Sequence, residues 1–375
     1  MMLQAEDFGI VGDGQTDNSP GLRALRDAIR AGVDRSWVVD FDPGHYCYTD
    51  NTWWKFGERD VTLRCNGARL ECTSENNWAR TFGLLSAAST PVLYAPDDVP
   101  FDPAQATLPT GYRFASADAR AQSIALLDPV ALATGEVVLL AGHIQQIREV
   151  DGVPEGWGWP PNYRVYEYAV VDSQDGNAVT LRHRLRNAYD DLWPDWLHQP
   201  LAPEQARLHG KPRLFLTHGD GWRQLRSLHI HDAVFAANRH KTHTPFGFTG
   251  RKFELIGCRT EGEVHTYMNH VEDFEARDCD FGRVEVDKIN RRVSFDRCRF
   301  RGTLFSMGAG AEQLTLRDCD IMGDANGQGL NIAPRDVRFA GTVRVHGRTI
   351  FQNSPTVSVP GPTRLTGMIA GSNER

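Results

Sequence analysis

The feature that most constrains this chain is an eight-residue template that recurs through its second half. "LHIHDAVF" (228–235), "FELIGCRT" (253–260), "FEARDCDF" (274–281), "VSFDRCRF" (293–300) and "LTLRDCDI" (314–321) share it, and "VRVHGRTI" (343–350) reads as a sixth copy. Apolar residues take the first and third places, which strand alternation turns to one face. The sixth place holds Ala233, Cys258, Cys279, Cys298, Cys319 and Arg348, and the four cysteines are separated by 21, 19 and 21 residues. "VTLRCNGA" (61–68) fits the same frame, with Asn66 in the sixth place. A period of roughly 20 residues means a solenoid whose coils bury their faces on one another. Leucine-rich repeats share part of the template. The leucine they carry three places upstream is missing here, where Gly250, Val271, Asn290 and Ala311 stand. Between copies, "EGEVHTYMNH" and "GRVEVDKIN" alternate like strands and do not read as helices. The coils are therefore expected to be all β.

The first half opens with "DFGIVGDGQTDN" (7–18), which has the glycines and aspartates of a ligand loop. The spacing fits neither a P-loop nor a dinucleotide fingerprint, and an EF-hand loop would need a glutamate at its twelfth position. A helix follows. Asn18 or Ser19 is expected to cap it, Pro20 lies in its first turn, and Gly32 ends it. Leu22, Leu25, Ala28 and Ile29 form one apolar stripe along it. "WVVDFDPGHYCYTD" then reads as a strand broken at Pro43-Gly44, and "DVTLRCNGARLEC" as two strands around a turn.

Over residues 7–72, "DFGIVGDGQTDNSPGLRALRDAIRAG", "VVDFDPGHY" and "VTLRCNGARL" resemble the N-terminal signature of the pectate-lyase-like right-handed β-helix superfamily. The resemblance implies an all-β fold, a right-handed single-stranded parallel β-helix with helix 20–31 capping its N-terminal end. "DNSP" stands where the superfamily commonly has Asp-Asp-Thr, and Asn and Ser still serve as caps. The cysteines would occupy the bend where related β-helices carry an asparagine ladder. They are expected to be reduced and to pack as small hydrophobes.

Three regions are expected: capping helix and first coils over 1–73, an insertion or β subdomain over 74–225, and regular coils over 226–375. In the middle region "GEVVLLAG" and "GNAVTLRHRL" read as strands, between stretches rich in Pro and Trp. No run of 18 apolar residues exists, so no membrane span is expected. The net charge of -7 argues against nucleic acid as a partner. "MMLQAEDFG" has neither a basic nor an apolar leader segment, so a cytoplasmic or phage-associated location is expected ahead of secretion. The expected partners are a poly- or oligosaccharide and, for assembly, no other chain or two further copies: monomer or homotrimer. No cofactor is expected. A metal site at His229, His231 and Asp232 is not expected: His229 and His231 point the same way on a strand, but no third ligand is fixed by spacing.

In the superfamily, ligands lie along a groove on one parallel sheet, which the strand after each repeat copy would supply. Alignment on Gly262, Gly282 and Gly302 stacks His265, Glu285 and Phe305 in one outward column, and Tyr267, Asp287 and Met307 in the next. Glu285 and Asp287 would have Cβ atoms ~7 Å apart, twice the strand rise. Carboxyls at roughly 6.5–9.5 Å suit an inverting glycosidase. A lyase would instead draw on His265 or Tyr267 to take a ring proton, with Arg239, Lys241 or Lys288 neutralising a uronate. Trp157 and Trp159 offer faces for sugar stacking. His218 and Asp220 in "THGDGW" form a weaker pair beside turn glycines. The catalytic candidates are thus Glu285, Asp287, His265 and Tyr267, and the expected function is glycan cleavage, with hydrolysis slightly ahead. Lyase or epimerase chemistry on a uronic-acid polymer is the first alternative. A non-catalytic glycan-binding or phage-tail-like module is the alternative of another class.

Overall fold

The computed structural model describes residues 1–54, 56, 59–73, 85–86, 112–145, 148–150, 153–155, 162–189, 212–216, 227–240, 244–262, 264–286, 290–306, 311–332, 334–351, 356–360 and 363–369. The chain divides into two compact units, residues 1–88 with 224–375, and residues 89–223.

The larger unit is a parallel β-helix of about nine turns, with one α-helix among the described residues. One ladder runs the length of the coil. Met2–Gln4, Ser36–Asp40, Asp60–Arg64 and Ser227–His231 pair in parallel succession. The rungs at 253–256, 273–277, Asn290–Asp296, Ala311–Arg317 and Asp336–Ala340 continue it. The apolar places of the template stack inward along it: Val39, Leu63, Ile230, Leu255, Ala276, Phe295, Leu316 and Phe339 are all buried. Each large side chain in that stack contributes about 1.5–3 kcal/mol of burial.

From Asp60–Arg64 onward, the bend after each of these rungs takes a left-handed residue: Asn66, Asp232, Gly257, Asp278, Arg297, Asp318 and Gly341 all have positive φ. The next residue in the central copies is the template cysteine. Cys258, Cys279, Cys298 and Cys319 are buried and free. Each Sγ lies against a carbonyl of the preceding coil, as Cys258 does to Ile230 at 3.2 Å and Cys298 to Ala276 at 3.4 Å. The thiols therefore point into a crowded, water-poor bend, and burial pushes Cys319 up to about 12. Between the coils, Asn290 works as a substitute backbone. Its amide donates to Met268 O at 3.0 Å and accepts from Val271 N at 2.9 Å.

The copy expected at 343–350 is out of place. The rung equivalent to the others is Asp336–Ala340, which pairs with 313–317. Residues 342–351 instead span the next two faces of the coil, against Asp320–Ile321 and Gln328–Ile332. The true copy carries Thr342 after its left-handed Gly341 where the central copies carry a cysteine, and the register gains one residue between Ala340 and Arg344.

The N-terminal helix, Ser19–Ala31, buries Leu22, Leu25 and Ile29 in the same core as the first coils. Asn18 holds the N-cap position, but its side chain makes no cap bond. It binds the preceding loop, accepting from Val11 N at 2.7 Å and donating to Val11 O at 3.0 Å and Cys47 O at 3.1 Å. Asp17 performs the capping task instead, accepting from Ser19 N at 3.0 Å. Asp13 closes its own turn by accepting from Gln15 N and Thr16 N at 2.9 and 2.8 Å. The aspartates of the opening stretch are thus tied into loop geometry.

The smaller unit carries a six-stranded sheet ordered Tyr112–Arg113, Arg213–Leu216, Val137–Gln145, Asn162–Asp175, Ala178–Leu181 and Ser123–Ala125. Its pairings are antiparallel. Phe114, Leu140, Val171, Leu181, Tyr189 and Leu214 lie in its own core. Glu167 is buried there and accepts from Arg186 N at 3.0 Å and Tyr189 Oη at 3.1 Å.

Candidate functional site

The strand Val264–Arg277 turns a corner, so that 264–268 join the groove sheet. Val264, Thr266 and Met268 point inward, and His265 and Tyr267 point out of the coil. On the next coil Arg283–Val286 lies alongside, with His265 opposite Arg283 and Tyr267 opposite Glu285. The expected register, His265 opposite Glu285, is displaced by two residues. The reason is local. At 261–264 the chain makes a turn, with Val264 N donating to Glu261 O at 3.1 Å and Gly262 left-handed at φ +49. Gly282 has no such turn. It stacks directly under Gly302, whose N–H donates to Gly282 O at 3.1 Å. The further match of Glu285 with Phe305 is as expected.

The displaced register still brings the expected pair together, along the diagonal. His265 Nε2 is 3.2 Å from Glu285 Oε2. Both side chains are almost sealed, 3% and 1% exposed. Aromatic rings surround them. The His265 ring lies over Tyr267 with centroids 3.7 Å apart, and 5.4 Å from Phe305. The Arg283 guanidinium sits over the outer face of Phe305 at 4.1 Å from its centroid. Arg283 is exposed and was not among the expected site residues, because glycine alignment left it outside every column.

Of the other candidates, Asp287, Lys241, Lys288, Trp157 and Trp159, with His218 and Asp220, lie outside the described residues. Arg239 is described, and it is committed to Glu71. Its Nε and Nη2 donate to the two carboxylate oxygens at 2.8 and 2.7 Å, and its backbone N–H adds 3.0 Å. Burial pushes the Glu71 carboxyl up, but these donors pull it further the other way, to about 2.

His229 faces outward on the first ladder and bridges coils. Its Nδ1 meets Glu254 Oε2 at 2.5 Å and its Nε2 meets Ser227 Oγ at 3.2 Å. Glu254 also pairs with Arg277. Burial raises the Glu254 carboxyl, and the bonds and charges of His229 and Arg277 outweigh it, so its pKa is lowered. Among the described residues, the one group of His, Cys, Asp or Glu side chains close enough to share an ion is His45, Cys47 and Glu71.

No protein-family model matches the chain, and no curated protein does. Solved structures similar to it include three phage tailspikes. The Pseudomonas phage phi297 tailspike gp61 is 12% identical, with 99% of this chain and 72% of that one covered and a TM-score of 0.43. The tailspike gp49 of Pseudomonas phage LKA1 is 13% identical, with 99% and 79% covered and a TM-score of 0.33. The gp54 tailspike of Acinetobacter baumannii bacteriophage AP22, solved with a capsular saccharide, is 11% identical, with 99% and 66% covered and a TM-score of 0.37. The stacked parallel rungs and the N-terminal helix bear out the expected parallel β-helix fold.

Proposed function

We propose that this protein is a carbohydrate-active enzyme that cleaves a poly- or oligosaccharide on the sheet carrying His265 and Glu285, by hydrolysis. The observation that carries this reading is the 3.2 Å approach of His265 to Glu285 inside a frame of Tyr267 and Phe305. A carboxyl and an imidazole in hydrogen-bond reach can pass a proton to or from a glycosidic oxygen. Glu285 would act as the acid or base, with His265 fixing its orientation. Asp287, two residues on in the sequence, would supply the second carboxyl that an inverting glycosidase needs. The exposed Arg283 offers a cation for an acidic sugar. In lyase chemistry on a uronic-acid polymer, His265 or Tyr267 would take the ring proton and Arg283 would take over the neutralising task that Arg239 is too engaged to perform.

The near-complete burial of His265 and Glu285 favours a second reading. In it the pair is a structural link between coils, and the protein is a glycan-binding or phage-tail-like module without turnover. The two readings separate on incubation with a panel of neutral and uronate polysaccharides. Hydrolysis yields new reducing ends alone, and elimination yields an unsaturated product that absorbs ultraviolet light as well. Glu285→Gln is expected to lower turnover by about 100-fold or more while the circular dichroism spectrum is kept. Full turnover in that variant would sink the assignment of Glu285, and retention of glycan without any product would favour the binding module.

A further inference from the structure

His45 and Cys47 are two residues apart on the strand His45–Tyr48, so both side chains leave the same face. Glu71 stands opposite Cys47 on the next coil, in Arg69–Cys72. The three ligand atoms lie within 4.8 Å of one another. His45 Nε2 is 2.7 Å from Glu71 Oε2 and 3.8 Å from Cys47 Sγ. A fourth donor completes the group, and Arg239 marks the centre of it. The cationic Nη2 of Arg239 touches Glu71 Oε2 at 2.7 Å, Cys47 Sγ at 3.0 Å and the carbonyl of Gly14 at 3.1 Å. One positive nitrogen is therefore held by sulfur, carboxylate and carbonyl, and the His45 imidazole touches the same carboxylate oxygen and sulfur.

That donor set has the chemistry of a borderline-soft divalent ion. Ligands of a tetrahedral zinc ion, ~2.0–2.3 Å from the metal, stand about 3.3–3.7 Å apart. The His45–Cys47 spacing is already near this, and the His45–Glu71 spacing needs to open by about half an ångström. Gly14 makes the close approach possible. It is left-handed at φ +74, and a Cβ there would lie 2.8 Å from His45 Nδ1. Glu71 is preset as a one-oxygen ligand, because the Arg239 backbone N–H holds Oε1 and leaves Oε2 for the ion.

We propose that Gly14 O, His45 Nε2, Cys47 Sγ and Glu71 Oε2 form a binding site for a divalent transition metal of the zinc type, centred where Arg239 Nη2 now lies. On binding, the Cys47 thiol releases its proton to water, the Nε2 proton that His45 now gives to Glu71 Oε2 passes through water to Nδ1, and the Arg239 guanidinium swings outward as a whole while its backbone N–H stays on Oε1. The side chain of Arg239 is 41% exposed, so water lies on its outer side. The thiolate and the Glu71 carboxylate together balance the two charges of the ion. The His45 side chain, 24% exposed, gives the ion a way in. The ion would tie the turn at 13–17 to the first two coils. None of this depends on the glycan reading.

The test uses the full chain, stripped with chelator and dialysed, then titrated separately with Zn²⁺ and Co²⁺. One ion per chain is expected, with a thiolate-to-cobalt absorption band. Cys47→Ser removes the band. His45→Gln, a change at a more exposed ring, lowers Zn²⁺ affinity at least about 10-fold with the circular dichroism unchanged. Arg239→Gln raises the affinity, because the competing cation is gone. The site is overturned by an absent cobalt band in the wild type, or by a band that survives in Cys47→Ser and so belongs to the other six cysteines. Unchanged affinity in Arg239→Gln overturns the position assigned to the ion.

Discussion

At Arg239 one side chain joins three coils. It reaches the Gly14 carbonyl, the Cys47 sulfur and both oxygens of Glu71. Glu71 is only 2% exposed, so removal of the guanidinium leaves a carboxylate with few partners and little water. In metal-free protein, Arg239→Gln is expected to lower unfolding stability by about 2 kcal/mol, read from the urea midpoint. The same pair sets a pH dependence. The folded Glu71 carboxyl lies at about 2, against an ordinary value of 4.5. Because the folded value is the lower one, the unfolded chain takes up the proton first. The contribution of Glu71 is therefore fully present above pH 4.5 and is lost as pH falls toward 2. Glu71→Gln should flatten that part of the stability curve, and an unchanged slope between pH 5 and pH 2.5 would show that Glu71 is not the group responsible (a window drawn from the same two values). Sequence reasoning marked Arg239 as a free cation for substrate. It had no means of seeing Glu71, which lies 168 residues earlier and meets it only after the coil has formed.

At the scale of the element, the inward rungs were legible because two signals coincide: alternation of period two and a small residue at the sixth place. The four template cysteines carry both, and the left-handed residue before each of them is seen only in the structure. The groove rungs were less legible, since no residue type marks their corner. The turn at 261–264 absorbs two residues that glycine alignment counts as strand, and so the His265 column was placed against the wrong partner. The pair survived the error because the displacement is an even number, which keeps outward residues outward. At the bend the physical rule is strict enough to predict a cost. Gly257 is left-handed at φ +63, and a Cβ there would run into the Asp232 carboxylate of the preceding coil. Gly257→Ala is expected to destabilise the β-helix by about 1–2 kcal/mol through backbone strain alone, more if Asp232 is displaced. An unaltered thermal midpoint would mean that the bend relaxes freely.

For the whole molecule, the position of His265 and Glu285 along the coil constrains what kind of cleavage the proposed reading allows. The described rungs of that sheet are Leu85–Ser86, 244–249, 264–268, Arg283–Val286, Leu304–Phe305, Gln328–Ile332, 348–351 and 368–369. His265 is on the third and Glu285 on the fourth, so the pair has sheet on both sides of it. Rungs ~4.8 Å apart make that sheet roughly 34 Å from end to end. A polysaccharide laid along the coil axis at the pair would have sheet beneath it for roughly 10 Å on one side and roughly 19 Å on the other. If Glu285 is the proton donor or acceptor, the bond broken is therefore an internal one. The expected products are oligosaccharides, with polymer length falling early while few ends have been released. Size-exclusion chromatography at low conversion reads this directly. Binding should also strengthen with oligosaccharide length until the ligand exceeds the sheet. Release of single sugars from a polymer that keeps its length would place the chemistry at a chain end, away from the middle of this sheet, and would remove His265 and Glu285 as its source.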